Sequence, residues 1–403
     1  MNSKLTVTFD GGTSLSKILY KVVRDGKLYA SKYLVMHPEV MELVEPLKSD
    51  NLEMGQIQQR SWIQLPPKKA KHFYAVGKLA KTRLATASIR KLKHDLLIPK
   101  ILAAIGAIAT IEKLQPKFEL DLLVLLPLGE YDSKDALETS LKQKLKYYWY
   151  RGNPIKVALN NYRCYPEGLG IALEINRQIG IKAWKSKVIG ILVFGYRNIS
   201  WLLFSGGNLI RAKSKTTDYG FYHLLDCVVQ KLSGITREEL QDAIVTKIER
   251  YRDVEKGENR SRVVTNIEIE KILKEVTPAG RKREGEKIKN ALDIGILENW
   301  KLIEEFLYEV NSFAADEIYY CGGTAVFLKN KLSEYYLEKN VSLYSADWYN
   351  SPQRKTLIET LGLSGIELDQ FIAQNLETRF SDCWHLLDNL STPQPQRSSV
   401  TSK

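Results

Sequence analysis

The sequence has few of the features that mark metal-binding or membrane-spanning proteins. Its four cysteines are scattered without CxxC spacing, and its five histidines form no HxxxH or Cys/His cluster. Neither a disulfide framework nor a structural zinc site is therefore expected. The most apolar helical stretch, residues 96–111, contains Pro99 and Lys100 and is shorter than the roughly 18 apolar residues that a membrane span requires. We interpret it as a buried core helix.

The N-terminus also lacks the charged, apolar and small-residue regions of a secretory signal, which predicts a cytoplasmic protein. With 403 residues, of which 44% are apolar, the chain is long enough for two globular domains. Its net charge of +12 is uneven, because residues 60–100 hold eleven Lys or Arg against one acid, Asp95. This stretch is able to attract nucleic acid, an acidic lipid surface or a neighbouring subunit, but a solvated basic face explains it equally well.

Two segments of the chain share one plan. Residues 5–35 and residues 188–213 each show three runs of alternating or continuous apolar residues, separated by short glycine-containing turns. Such runs predict antiparallel strands. The duplication predicts two similar halves, residues 1–184 and 185–390, and the mixture of strands and helices indicates an α/β fold. The remaining residues, 391–403, have too few apolar side chains to form a core and are predicted to be a disordered tail.

Each half contains a region that departs from this plan. Residues 36–78 have weak periodicity and several prolines, which predicts a small inserted subdomain in the first half. In residues 224–313, apolar residues recur at intervals of three and four. This spacing is typical of amphipathic helices, so we expect an all-helical insertion in the second half.

The most informative segment is a glycine hairpin near the start of the chain. An acid, Asp10, precedes the glycines, and Lys17 lies on the returning strand. Gly12 lets backbone N–H groups approach a phosphate, Thr13 and Ser14 add hydroxyl donors, and Asp10 is able to hold a hydrated magnesium ion. Taken alone, the segment also fits an ordinary glycine-rich turn with an incidental acid.

A second glycine motif follows a short apolar strand late in the chain. Gly322, Gly323 and Thr324 lead from this strand directly into a predicted helix. Glycine at such a junction allows a ligand to lie close to the backbone. Strand-GG-helix junctions are common, however, so this motif supports a binding site only together with other segments.

Together these segments resemble the actin, Hsp70 and sugar-kinase superfamily, and within it the ParM (StbA) branch. The sequence DLLVLLPLGEYDSKD is similar to the ParM strand that ends in LPL-x-EY, and YAVGKLA is similar to the segment that returns from the inserted subdomain. The resemblance implies a duplicated actin-like (ribonuclease H-like) fold. In that fold two halves enclose a nucleotide cleft, and each half carries a smaller inserted subdomain.

The resemblance also implies roles for individual residues, with ATP or GTP and Mg²⁺ as ligands. It implies that Asp10 holds magnesium through water and that Glu167, in the sequence CYPEGLGIAL, positions the water that attacks the γ-phosphate. The implied nucleotide-binding residues are those of the first phosphate loop, the second phosphate loop and the adenosine loop, namely Asp10, Gly12, Thr13, Ser14, Lys17, Gly195, Tyr196, Arg197, Asn198, Gly322, Gly323 and Thr324.

The second phosphate loop departs from the family pattern. Val193 stands where the family has a carboxylate, and Asn198 stands in place of a threonine. We therefore expect hydrolysis to be slow or differently organised. Two simpler interpretations remain open: Tyr196, Arg197 and Asn198 also fit a plain hairpin tip, and Glu167 also fits an acid that interacts favourably with a helix N-terminus.

The resemblance implies a filament-forming ATPase or GTPase of the plasmid-segregation type. Its partners would be further copies of itself and an adaptor, either a ParR-like DNA-binding protein or a membrane-linked one. A chromosomally repurposed filament for cell shape or a membrane partner and a small-molecule kinase on the same fold are alternatives, although Val193 argues against a kinase. Direct nucleic-acid binding is disfavoured because the sequence contains no known nucleic-acid-binding module. A chaperone of the Hsp70 type is disfavoured because the segment after residue 345 is too short for a peptide-binding domain.

Overall fold

Two large β-sheets and one separate hairpin organise the residues described by the computed structural model, 3–47, 56–66, 72–83, 93–253, 258–345, 352–374 and 376–391. The strands are β1 (Ser3–Gly11), β2 (Ser16–Arg24), β3 (Lys27–Leu28), β4 (Lys32–Met36), β5 (Val40–Leu43), β6 (Ser61–Gln64), β7 (Phe73–Val76), β8 (Lys117–Leu126), β9 (Tyr148–Tyr150), β10 (Asn153–Pro166), β11 (Ile189–Phe194), β12 (Ile199–Ser205), β13 (Asn208–Leu209), β14 (Lys215–Thr217), β15 (Ile244–Asp253), β16 (Glu258–Ile267), β17 (Glu317–Cys321) and β18 (Ser342–Ser345). The helices are α1 (Lys78–Thr82), α2 (Lys93–Ile111), α3 (Lys134–Leu145), α4 (Leu169–Ile179), α5 (Ile181–Ser186), α6 (Phe221–Val229), α7 (Arg237–Ala243), α8 (Pro278–Glu309), α9 (Ala325–Glu338), α10 (Pro352–Leu361), α11 (Gly365–Ala373), α12 (Leu376–Arg379) and α13 (Ser381–Ser391).

The first sheet is built around β1 and β8. Strand β1 pairs antiparallel with β2 and parallel with β8, and β8 pairs parallel with β10. The apolar run in β8 is continuous because helices cover both faces of the sheet. Helices α2 and α3 pack on one face, whereas α4 and α13 pack on the other.

The second sheet repeats this arrangement. Strand β11 pairs antiparallel with β12 and parallel with β17, which in turn pairs parallel with β18. Helices α8 and α9 bury one face against a core that includes Trp201, Trp300 and Tyr336. The predicted duplicated α/β fold is confirmed.

The region predicted as an inserted subdomain, residues 36–78, forms a small antiparallel sheet. Strand β7 pairs with both β5 and β6, and β6 continues into the first sheet through its pairing with β9. Lys68, Lys69 and Lys71 of the basic stretch lie outside the described residues. The predicted tail also lies outside them, except for Ser391 at the end of α13.

The prediction of an all-helical insertion over residues 224–313 is wrong in one part. Helix α7 ends at Ala243, and the chain continues as the hairpin of β15 and β16. Both strands are rich in β-branched residues, such as Val245 and Thr246 in the first and Val263 and Val264 in the second. These residue types favour extended backbone. The helices α6, α7 and α8 form a separate small core beside the hairpin.

Helix α2 contains the apolar stretch that the sequence predicts to be a core helix, and it is buried as predicted. Ile101, Ala104 and Ile108 are fully covered by the first sheet and its surroundings. Among the helices of the described residues, none combines the length and the apolar character that crossing a membrane would require.

Candidate functional site

A cleft of about 400 Å³ lies between the two halves, where the hairpin turns of both sheets face each other. The structure brings all the predicted site residues together here. Those that line the cleft are Asp10, Gly12, Thr13, Ser14, Lys17, Glu167, Gly195, Tyr196, Arg197, Asn198, Gly322, Gly323 and Thr324.

The first hairpin places an acid and a base side by side at the bottom of the cleft. Asp10 lies directly opposite Lys17 in the pairing of β1 with β2, and their side chains form an ion pair. A Cβ atom at Gly12 would come within 2.6 Å of the Leu15 carbonyl oxygen, so the tight turn requires glycine there. Below the turn, the buried Lys100 donates to the Gly11 carbonyl oxygen at 3.4 Å.

The second hairpin turn and the late glycine motif are packed against each other. The Gly195 N–H donates to the Asn198 carbonyl oxygen at 2.8 Å and closes the turn. Thr324 Oγ1 donates to the Gly195 carbonyl oxygen at 2.9 Å. A Cβ atom at Gly322 would lie 2.2 Å from the Phe194 carbonyl oxygen, and its φ of +103° also favours glycine. The two motifs therefore form one surface of the cleft.

Two residues of the second hairpin have structural contacts of their own. The Asn198 side chain donates to Asp218 at 3.0 Å, as in an ordinary hairpin tip. The Arg197 side chain lies 3.3 Å from Asp218 and 4.0 Å from Glu130 in the other half. The resemblance implies that Arg197 contacts phosphate, whereas in the structure its partners are the carboxylates of Asp218 and Glu130 in the wall of the cleft.

Glu167 lies in the turn between β10 and α4. Its backbone N–H donates to the Leu126 carbonyl oxygen at 2.8 Å, which fixes the turn beside the end of β8. Gly168, with a φ of +94°, is the N-cap of α4, so Glu167 precedes the helix rather than lying in its first turn. Val193 contributes an apolar surface to this side of the cleft, next to Gly168.

The opposite end of the cleft is aromatic, and of its aromatic residues the sequence analysis named only Tyr196. The rings of Phe221 and Phe327 are stacked with their centroids 5.4 Å apart. Tyr196 donates its hydroxyl to Gln241 Oε1 at 2.7 Å, and burial raises the pKa of Tyr196 to about 12. Aromatic side chains of this kind suit a flat ring such as a nucleobase. No local pattern marks Phe221 and Phe327, because they come from two separate helices, α6 and α9.

The C-terminal helices add charged residues that the sequence analysis also missed. Arg379 of α12 and Asp382 of α13 line the cleft beside Asp10 and Glu167. Burial raises the pKa of Asp382 to about 7, and the charges of Asp10 and Glu167 act in the same direction. The cleft thus has a charged end, where the first hairpin and the Glu167 turn meet, and an apolar end.

Comparison of the chain with known proteins finds likeness only in three dimensions. No protein-family model and no curated protein sequence matches it. The apo pSK41 ParM protein matches with a TM-score of 0.51 and 13% identity, and it covers 96% of this chain and 99% of its own. Bacillus thuringiensis ParM with AMPPNP matches with a TM-score of 0.52 and 16% identity, and the archaeal actin homologue Ta0583 matches with a TM-score of 0.54 and 12% identity, both at the same coverage. The chain therefore has the actin-like fold found in the ParM proteins.

Proposed function

We propose that this chain is a nucleotide-dependent, filament-forming actin-like protein of the plasmid-segregation type. The observation that carries the proposal is the meeting of both hairpin turns, the late glycine motif and Glu167 in one cleft between the halves. In such an arrangement, a bound nucleotide contacts both halves at once. Nucleotide binding would then favour the closed arrangement of the halves, and closure would favour contacts between subunits.

The two ends of the cleft fit the two ends of a nucleotide. The phosphates would lie at the charged end, against Thr13, Ser14 and Lys17. The base would lie at the end formed by Tyr196 and Phe327. Bacillus thuringiensis ParM, which shares the fold, was solved with ATP, AMPPNP and ADP. We therefore infer that the ligand is ATP or GTP.

Magnesium would be held here through water and phosphate. The described residues contain no group of three His, Cys, Asp or Glu side chains arranged to coordinate a metal directly. Asp10, largely buried and facing the cleft, suits a magnesium ion that keeps several of its waters. When bound, the ion would neutralise charge on the phosphates, while Glu167 would orient the attacking water.

The proposals for a filament and for its partners rest on the likeness in fold. Alp12, another match with a TM-score of 0.52, was solved as a filament. We infer that this chain assembles with copies of itself in the cytoplasm and reaches its cargo through an adaptor, ParR-like and DNA-binding or linked to a membrane. A filament with a cell-shape role remains an alternative. A kinase would need a base at the end of β11, and Val193 is unable to accept a proton.

Thermal denaturation and electron microscopy test the proposal. We expect Mg-ATP or Mg-GTP at millimolar concentration to raise Tm, because a ligand that binds only the folded state stabilises it. We also expect negative-stain images to show filaments that require the same nucleotide. If neither nucleotide changes Tm, the proposed function is wrong.

Asp10→Ala provides the specific test of the cleft. It should abolish nucleotide-dependent pelleting while leaving the circular dichroism spectrum unchanged. Asp293→Ala is a matched control, because Asp293 is exposed on α8 and does not line the cleft. Equal pelleting of wild type and Asp10→Ala would show that Asp10 only shapes the hairpin and does not hold magnesium.

A further inference from the structure

The last helices of the chain return to the first half and are firmly packed there. Phe380, Trp384 and Leu387 belong to one apolar core with Leu19 of β2 and Leu123 of β8. Helix α13 lies against β1, β2, β8 and α4. The residues between α12 and α13 are therefore held beside the first phosphate loop by an extended buried surface.

Polar contacts fix the same helices to the Glu167 turn. The Asp382 carboxylate accepts from the Gly168 N–H and from the Gly170 N–H, both at 2.7 Å. A Cβ atom at Gly170 would lie 2.2 Å from the Asp382 carbonyl oxygen, so the close approach requires glycine. One turn further along α13, His385 lies 3.3 Å from the buried Glu174 of α4. These contacts hold α13, and with it the end of α12, in a defined place.

This packing brings Arg379 into the phosphate end of the cleft. Its Nη2 donates to Ser14 Oγ at 2.6 Å, in the middle of the first phosphate loop. Arg379 lines the cleft together with Thr13 and Lys17. Burial lowers the pKa of the Arg379 guanidinium, and the negative charge of Asp10 opposes this effect. An arginine nevertheless keeps its charge at every physiological pH, so a cation sits at this position.

A polyphosphate at this end of the cleft would need a cation such as Arg379, because carboxylates surround the site. Asp10, Glu167 and Asp382 all lie here, and Lys17 is engaged by Asp10 in an ion pair. The charges of Asp10 and Glu167 repel a polyphosphate, and Asp382 adds to this repulsion once the pH exceeds its raised pKa of about 7. A guanidinium has five N–H donors in one plane. The Arg379 guanidinium uses one of them for Ser14 Oγ, and the others are able to donate to phosphate oxygens.

We propose that Arg379 is a phosphate-binding residue, which the C-terminal helices place against the first phosphate loop to contact a nucleoside polyphosphate. This inference rests on the proposed function, because it requires that a nucleotide enters the cleft. In the proposed contact, two N–H groups of the Arg379 guanidinium donate hydrogen bonds to phosphate oxygens. Arg379 then complements Lys17. Asp382 acts as a positioning residue, because its hydrogen bonds fix the start of α13, which directly follows the end of α12 that carries Arg379.

A structural role for Arg379 is the competing interpretation. In that case the guanidinium only tethers the Ser14 turn and balances Asp10. Its removal would lower the stability of the protein without a specific effect on triphosphate binding. Affinity and stability therefore have to be measured on the same variants.

Equilibrium binding of Mg-ATP and Mg-GTP to the full chain tests the proposal. We expect Arg379→Gln to weaken binding of the preferred nucleotide about tenfold or more, the loss typical of one hydrogen bond between charged groups. Arg379→Lys keeps the positive charge but lacks the planar set of N–H donors, so it should weaken binding less than Arg379→Gln does. Arg283→Gln, the same change at an exposed position of α8, should bind as wild type does.

The outcomes separate this inference from the proposed function. If wild type binds and Arg379→Gln binds within threefold of it, Arg379 is not a phosphate ligand and only this inference fails. If wild type binds neither nucleotide, the proposed function itself fails. If circular dichroism shows that Arg379→Gln is unfolded, Arg379→Lys decides: weaker binding at unchanged Tm supports the inference, and wild-type affinity overturns it.

Discussion

Arg197 in the second half and Glu130 in the first approach each other to 4.0 Å, with both side chains largely buried. Arg197 belongs to the turn after β11, and Glu130 follows β8, so the contact joins the loops at the ends of the two central strands. A second pair, Arg211 with Asp132 at 2.8 Å, lies further out. The halves are thus connected by charged residues at the edge of the cleft.

Glu130→Gln should destabilise the nucleotide-free protein by about 1 kcal/mol, because it removes one of two carboxylates that face the largely buried Arg197 and leaves Asp218. Urea denaturation measures the change in the free energy of unfolding. Asp132→Asn is the matched control: Asp132 is 88% exposed, so its loss should cost about 0.5 kcal/mol or less. Equal effects of the two variants would show that the Glu130 contact adds nothing to the connection between the halves.

The central features of the fold were predictable because they are local in sequence. The alternation of apolar residues in β1 and β2, with Gly11 and Gly12 between them, indicates a hairpin without reference to the rest of the chain. The same holds for β11 and β12. The hairpin of β15 and β16 was missed because helical spacing in α7 was extended past Ala243 into residues that favour strands.

The C-terminal part of the site was not predictable in this way. Arg379 and its partner Ser14 are 365 residues apart in the chain, and Asp382 and Gly168 are 214 apart. No turn, spacing or motif near residues 379–382 indicates these contacts. They arise only because α13 packs against the face of the first sheet, which is a consequence of the whole topology.

The second prediction concerns pH. The pKa of Asp382 is raised from 3.8 to about 7, chiefly by burial and further by Asp10 and Glu167. The folded protein therefore holds this proton more tightly than the unfolded chain does. The resulting stabilisation is complete below about pH 4 and is lost as the pH rises through about 7. Asp382→Asn stays neutral, so its Tm relative to wild type should rise between pH 5 and pH 8.

Thermal scans without nucleotide at several pH values measure this difference. The groups that face Asp382 are Asp10 and Glu167 and the amides of Gly168 and Gly170, and all of them remain in the variant. Asp369→Asn, an exposed position on α11, should show a constant difference from wild type. A Tm difference for Asp382→Asn that does not change with pH would mean that Asp382 is already ionised near pH 5.

The third prediction uses the open space at Gly323. A Cβ atom at this position would meet no other atom within 4 Å, and the residue lines the cleft. Gly323→Val should therefore fold with nearly unchanged Tm but fill space that the proposed nucleotide needs. We expect its affinity for Mg-ATP or Mg-GTP to fall about tenfold or more, equivalent to roughly 1.4 kcal/mol of binding free energy.

Gly285→Val controls for the cost of the substitution itself, because Gly285 lies on α8 and does not line the cleft. It should show the same nucleotide-induced rise in Tm as wild type. If Gly323→Val also retains that rise, the ligand does not approach the backbone of the late glycine motif.

The last prediction concerns hydrolysis. Val193 is unable to orient water, so Glu167, which lines the same cleft, is the side chain that we expect to do so. Glu167→Ala should lower single-turnover phosphate release roughly 10²-fold, because phosphoryl transfer depends on positioning of the attacking water. It should also prolong the life of triphosphate-bound filaments. Val193→Asp should accelerate release, and Asp293→Ala, an exposed change on α8, should leave it unaltered. If Glu167→Ala releases phosphate as fast as wild type, Glu167 serves only to shape the turn before α4, and the protein cycles by nucleotide binding and exchange.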